Sequence, residues 1–77
     1  MIISQVQPEP NWVLSIVATD GRIGRFDVSA YLGDEAFSAL QDQAEFAKIS
    51  NGAYFVEWDC GADLSADTIE AKWRVVN

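Results

Sequence analysis

The chain has no histidine, so it lacks the commonest general base and metal ligand. Its single cysteine, Cys60, rules out an internal disulfide, and nothing points to an oxidising compartment. A cysteine nucleophile needs a base beside it, so Cys60 reads as a semi-buried or incidental thiol. Basic residues are scarce: five Lys and Arg against twelve Asp and Glu leave a net charge of −7. That weighs against direct binding to nucleic acid or an anionic membrane, both of which need a cationic footprint. The converse, a basic partner, is permitted, although net charge also serves plain solubility. No apolar run approaches the roughly 18 residues of a membrane span. Met1-Ile2-Ile3 has neither a basic n-region nor a long h-region, so no signal peptide is expected and the cytoplasm is the default compartment. There is no glycine-rich phosphate loop, since Asp20-Gly21 reads as a turn. Enzyme activity, cofactor and metal are therefore all unexpected.

What is present suits one small domain over residues 1–77. A chain this short buries only about 60% of its unfolded surface, so its stability is marginal. A hydrophobic fraction of 49%, with three Trp, two Tyr and four Phe, makes a core feasible and disorder unexpected.

Ile2 to Gln7 reads as an edge strand cut off by Pro8 and Pro10. From Trp12 to Thr19 the chain alternates, with Trp12, Leu14, Ile16 and Ala18 on one face. Asp20-Gly21 turns it, and Arg22 to Val28 returns. A two-residue loop would oppose Leu14 to Asp27. A three-residue loop, Thr19-Asp20-Gly21, sets Ala18 against Arg22, Ile16 against Gly24, Leu14 against Phe26 and Trp12 against Val28. The second register gathers the large apolar groups on one face, and a one-residue slip destroys it. It also places Gly21 at the left-handed position of a turn with a bulge. Val13, Val17 and Ile23 lie on the other face, to be covered by the first strand's side chains, a helix or a second copy.

Ser29 to Ile49 is the helical half. Phe37 and Leu40 lie three apart behind a possible cap at Asp34, and Asp42 begins a capping-box pattern with Glu45. Two short helices, or one broken near Asp42, are expected. Asn51-Gly52 reads as a hairpin turn into Ala53–Trp58, with Tyr54, Val56 and Trp58 facing the core. A closing helix follows, with Ser65 as its N-cap, Asp67 in its first turn, and Leu64 and Ile69 as a hydrophobic staple. Its apolar stripe continues through Trp73 and Val76. Trp73, near the end, is the tryptophan suspected of exposure. The pattern predicts an α+β fold: a small antiparallel sheet of about four or five strands, ordered β-β-β-α-β-β-α, with short helices packed on one face.

Between the last strand and the last helix lies Trp58-Asp59-Cys60-Gly61-Ala62-Asp63-Leu64-Ser65-Ala66-Asp67. Asp59, Asp63 and Asp67 recur every four residues, and a hard cation would need their oxygens to converge. Local roles are favoured: Asp63 bonding the loop backbone, Asp67 at the helix N-terminus, Asp59 in solvent. Asp27, a carboxylate within a strand run, is expected to be solvent-exposed or to bond the amides near Ser29 to Tyr31, with contact to a partner as the lesser alternative.

These residues resemble the bacterial "domain of unknown function 2442" family. The resemblance rests on the Asp20-Gly21 turn, on Phe26-Asp27-Val28-Ser29-Ala30-Tyr31-Leu32, on Phe37 with Leu40, on Phe46, and above all on Trp58 to Asp67. The sequence departs from the family pattern where Pro is common, at Ala30 and Ala66, and where Pro-Asn is common, at Asp59-Cys60. The resemblance implies an α+β fold and no established activity. Many members look like partners of a neighbouring small protein, in an arrangement similar to a toxin–antitoxin pair. Some carry an added helix-turn-helix domain, a role that is not carried over to these residues.

The function expected is therefore a non-catalytic protein-interaction module, the acidic, antitoxin-like partner of a small bacterial protein. Its partner-binding residues would be Glu57, Asp59, Asp63, Asp67 and Glu70, with Asp59 and Glu70 at the rim. The partner would be a basic protein, not nucleic acid or membrane, and a homodimer is left open. The alternative is an acidic inhibitor of phage or mobile-element type that mimics nucleic acid and blocks a DNA- or RNA-binding complex. That reading needs charge spread at phosphate-like spacing over a whole face.

Overall fold

The alternation between 12 and 19 builds the first of two sheets. The computed structural model describes residues 1–76. Strands β1 (Ile3–Glu9), β2 (Val13–Ala18) and β3 (Ile23–Asp27) form an antiparallel meander. Leu14 faces Phe26, Ile16 faces Gly24, and the Ala18 amide donates to the Arg22 carbonyl at 2.9 Å. This is the three-residue loop, and Gly21 closes it at φ 95°. A Cβ is disfavoured at that angle, so glycine fits where other residues would strain. Leu14, Ile16, Ala18 and Phe26 are buried as the register requires. Val13, Val17 and Ile23, on the other face, are half-buried.

Trp12 departs from the alternation. It lies in a turn, Pro10–Trp12, with Asn11 at φ 64° and Trp12 at φ 60°. A bulky residue there needs compensation. The Trp12 indole Nε1 donates to the Leu40 carbonyl at 2.6 Å, and the Trp12 carbonyl accepts the Val28 amide at 2.8 Å. Trp12 thus ties the helical half to the sheet.

That half holds 3-10 segments at Ser29–Tyr31 and Glu35–Gln41, then helix α1 (Gln43–Phe46). The break falls at Asp42, whose carboxylate accepts the Ala44 amide at 2.9 Å. Asp34 precedes the longer 3-10 segment but makes no side-chain cap bond. Phe37, Leu40 and Phe46 are buried.

A second sheet takes the place of a single continuous one. It comprises β4 (Ile49–Asn51), β5 (Phe55–Trp58) and β6 (Asp63–Ser65), in that order. The sheets meet where the Ile3 amide donates to the Ala53 carbonyl at 2.7 Å. Each buries one face in a shared core: Leu14, Ile16 and Phe26 from the first, Val56, Trp58 and Leu64 from the second. Two half-apolar layers closing on one another satisfy both without a common strand.

The β4–β5 bend lies two residues beyond Asn51-Gly52. Asn51 pairs with Val56, and the Gly52 amide donates to the Phe55 carbonyl at 2.8 Å. Asn51 Oδ1 accepts the Ala53 amide at 2.8 Å, while Asn51 Nδ2 donates to the Ile3 carbonyl at 2.9 Å. These bonds hold Ala53 at φ 70° and move Tyr54 off the pleat. Tyr54 is 67% exposed and does not face the core, whereas Val56 and Trp58 do.

Helix α2 (Ala66–Lys72) starts where its cap dictates, with Ser65 Oγ accepting the Thr68 amide at 3.1 Å. Leu64 and Ile69 are buried as a staple pair. The chain then straightens at Trp73 (ψ 163°) into β7 (Arg74–Val75), which pairs with β3 and completes the order β1-β2-β3-β7. Trp73 is half-buried beneath Arg22, whose guanidinium lies 5.5 Å from its ring. Val76 is 49% exposed and leaves the apolar stripe.

Candidate interaction face

Because Val56 and Trp58 point inward along β5, Phe55 and Glu57 point outward. In register, Phe55 faces Ser65 and Glu57 faces Asp63, with Ser50 of β4 on Glu57's other side. The outer face of this sheet therefore sets two carboxylates side by side, next to a 40% exposed phenylalanine. Directly opposed cross-strand residues have Cβ atoms about 4.5–5.5 Å apart, and like charges there destabilise a sheet. Among the described residues, no Lys, Arg or ammonium lies within ion-pair distance of Glu57 or Asp63.

The loop joining β5 to β6 repeats the Thr19–Gly21 design. The Trp58 amide donates to the Ala62 carbonyl at 2.9 Å, the Gly61 amide donates to the Trp58 carbonyl at 2.9 Å, and Gly61 has φ 97°. Asp59 and Cys60 consequently sit exposed at its crest. The Asp59 amide donates to the Lys48 carbonyl at 3.1 Å, which fixes the crest against the chain entering β4. Sequence reasoning treated this stretch as a loop and helix cap and missed the hairpin. Its available signal was Gly61 at the third loop position, as at Gly21.

Each predicted site residue can now be placed. Glu57 and Asp63 come together on the outer face, and Asp59 stands at the end of the same hairpin. Asp63 was expected to bond the loop backbone; it is an exposed strand residue whose carboxylate makes no hydrogen bond among the described residues. Asp67 is exposed in the first turn of α2, where the helix dipole favours it. Glu70 is not a free rim charge. Its Oε1 accepts the Met1 ammonium at 2.7 Å and its Oε2 accepts Arg22 Nη2 at 2.8 Å. The bond from the Met1 ammonium, then that from Arg22, holds the Glu70 carboxyl below its ordinary value. The Arg22 guanidinium is raised in turn, first by Glu70 and then by Asp20. Glu70 thereby joins the first residue, the β2–β3 hairpin and α2. Asp27 behaves as read, with Oδ1 accepting the Ser29 amide at 2.8 Å.

Among the described residues no three Cys, Asp or Glu side chains converge as metal ligands, and no helix is long and apolar enough to cross a membrane. This face sets paired negative charge next to exposed aromatic surface. No curated protein and no solved structure matches the sequence. A family profile does match, over residues 3–75, and by it the chain belongs to DUF2442, a family described as a protein of unknown function.

Proposed function

We propose that the chain is a non-catalytic protein-interaction module of the bacterial cytoplasm, the acidic, antitoxin-like member of a pair with a basic protein. The observation that carries this is the Glu57–Asp63 couple, without an ion-pair partner among the described residues, set beside exposed Phe55. A solubilising surface disperses its charge; here two acids repel across a strand pair with no cation among the described residues within ion-pair distance. A basic partner would relieve that repulsion on binding. Aromatic side chains are the usual anchors of interfaces, and the carboxylates would steer the encounter. A standard interface covers about 800 Å² per partner, roughly a fifth of this chain's 4429 Å² surface. The contact would therefore extend from the strand face onto Asp59 and Asp67.

The test is affinity capture from the native host with the wild type and with the Glu57→Gln/Asp63→Asn variant, both confirmed folded. The expected result is a basic protein retained by the wild type and lost by the variant. Identical captured sets would sink the proposal.

A further inference from the structure

The outer face of the first sheet carries the opposite charge. Arg25 and Arg74 oppose each other directly across β3 and β7. With Lys72 at the end of α2 they line a groove of about 400 Å³ whose apolar lining is Val13 and Val76. Three of the chain's five basic residues thus share one groove. The other two are occupied, Arg22 by Asp20 and Glu70, Lys48 by Glu45. Among the described residues Arg25 makes one ion pair, Nε to Glu9 Oε1 at 3.4 Å. Among the described residues Lys72 and Arg74 have no carboxylate within ion-pair distance. Asp27, the one acid lining the groove, already accepts the Ser29 amide. The two sheets therefore present like-charge cross-strand pairs of opposite sign, arginines on one and carboxylates on the other.

We propose that this groove receives the Glu57–Asp63 face of a second copy. Both pairs lie directly opposed in antiparallel register, so both bring their charged groups out at a similar cross-strand separation. Guanidinium and carboxylate match as forks, each arginine taking one acid. Val13 and Val76 give apolar surface beside the arginines, as Phe55 does beside the acids. The groove and the acidic face are different patches, so the contact is head to tail and leaves one of each free at the ends. This rests on the acidic face being an interaction surface and adds the groove as a second one. A basic partner and a second copy would compete for the same carboxylates.

The charge of −7 on each copy opposes association, and salt separates the two effects. At 0.01 M the Debye length is about 30 Å, close to the molecule's 32 Å long axis, so each copy feels the other's whole charge. At 0.1 M it is about 10 Å and only facing groups interact; at 1 M it is about 3 Å and the facing pairs are screened too. Association is therefore greatest at intermediate salt.

The experiment is sedimentation of the full chain at high concentration across that salt range, with circular dichroism to verify folding. The wild type should self-associate most near about 0.1 M. Arg25→Gln/Arg74→Gln and Glu57→Gln/Asp63→Asn should each be monomeric alone. Their equimolar mixture should form a dimer and nothing larger, because each supplies one intact patch. A wild type that stays monomeric throughout, arginine variants that associate like the wild type, or a mixture that fails to dimerise would each overturn the proposal. Loss of the basic partner is read separately. The carboxylate variant should lose both interactions, and the arginine variant only self-association.

Discussion

Truncating Trp58 to alanine should bring the domain to the edge of unfolding. Trp58 is 1% exposed, stacks on Phe46 at 5.9 Å between centroids and meets Phe37 edge-on at 6.3 Å. Its indole Nε1 donates to the Phe46 carbonyl at 2.9 Å. Removing a buried tryptophan costs about 3–5 kcal/mol in transfer and cavity terms. Leaving that buried carbonyl without its donor adds about 1–3 kcal/mol. A domain of 77 residues has a total stability of about 4–12 kcal/mol. The loss therefore takes at least about a third of that stability and could remove all of it. Trp58→Phe keeps a ring in the stack and loses the donor, so its cost should stay nearer the hydrogen-bond value alone. Urea unfolding followed by far-ultraviolet circular dichroism separates the two variants through their midpoints. An unchanged midpoint for Trp58→Ala would refute the placement of this side chain at the centre of the core. Equal losses for both variants would show that the ring contacts contribute little.

Three further outcomes follow from the geometry. Glu57→Gln or Asp63→Asn should leave stability unchanged or raise it by about 0.2–1 kcal/mol, because either relieves a like-charge cross-strand pair; a lowered melting temperature would mean that a carboxylate has a structural partner. Gly21→Ala and Gly61→Ala should each cost on the order of 1 kcal/mol, since both glycines hold left-handed loop positions, and urea midpoints equal to wild type would contradict this. Glu70 titrates below its ordinary 4.5, so its contribution is present above that value and is lost as pH falls through the folded pKa. The melting advantage of wild type over Glu70→Gln should accordingly narrow as pH falls from about 6 to about 3, and a constant gap would break the link.

Much of the fold was legible because single residues decide it. Leu14 can meet Phe26 only if the first hairpin loop has three residues, and Ser65 with Leu64 and Ile69 marks the start of α2. The same logic was available at Gly61, but Asp59-Cys60 carries no hairpin signature, and the aspartates drew the reading towards a cap. Strand alternation does not place Tyr54, because it lies in a turn held by Asn51 side-chain bonds to Ala53 and to Ile3, the latter 48 residues away in sequence. The short strand β7 was invisible in two residues and exists because β3 offers an open edge. For the acidic residues, sequence gave proximity along the chain but not in space. Glu57 and Asp63 are brought together only by the register of β5 and β6, and Glu70 is drawn away by Arg22 and Met1.

The claim that matters most is that a partner reads the β5–β6 face rather than bulk acidity. Association kinetics of the captured partner test it with two variants of equal charge change, Glu57→Gln/Asp63→Asn on the face and Asp34→Asn/Glu35→Gln away from it. Asp34 and Glu35 are exposed, and Asp34 makes no side-chain cap bond, so the control leaves the fold intact. Measured at about 0.15 M salt, where long-range charge is screened beyond about 8 Å, the face variant should lose at least about tenfold in affinity, or 1.4 kcal/mol, with a slower on-rate. The distant variant should stay close to wild type. Equal losses in both would show that the partner responds to net charge alone, and the assignment of the face would fall.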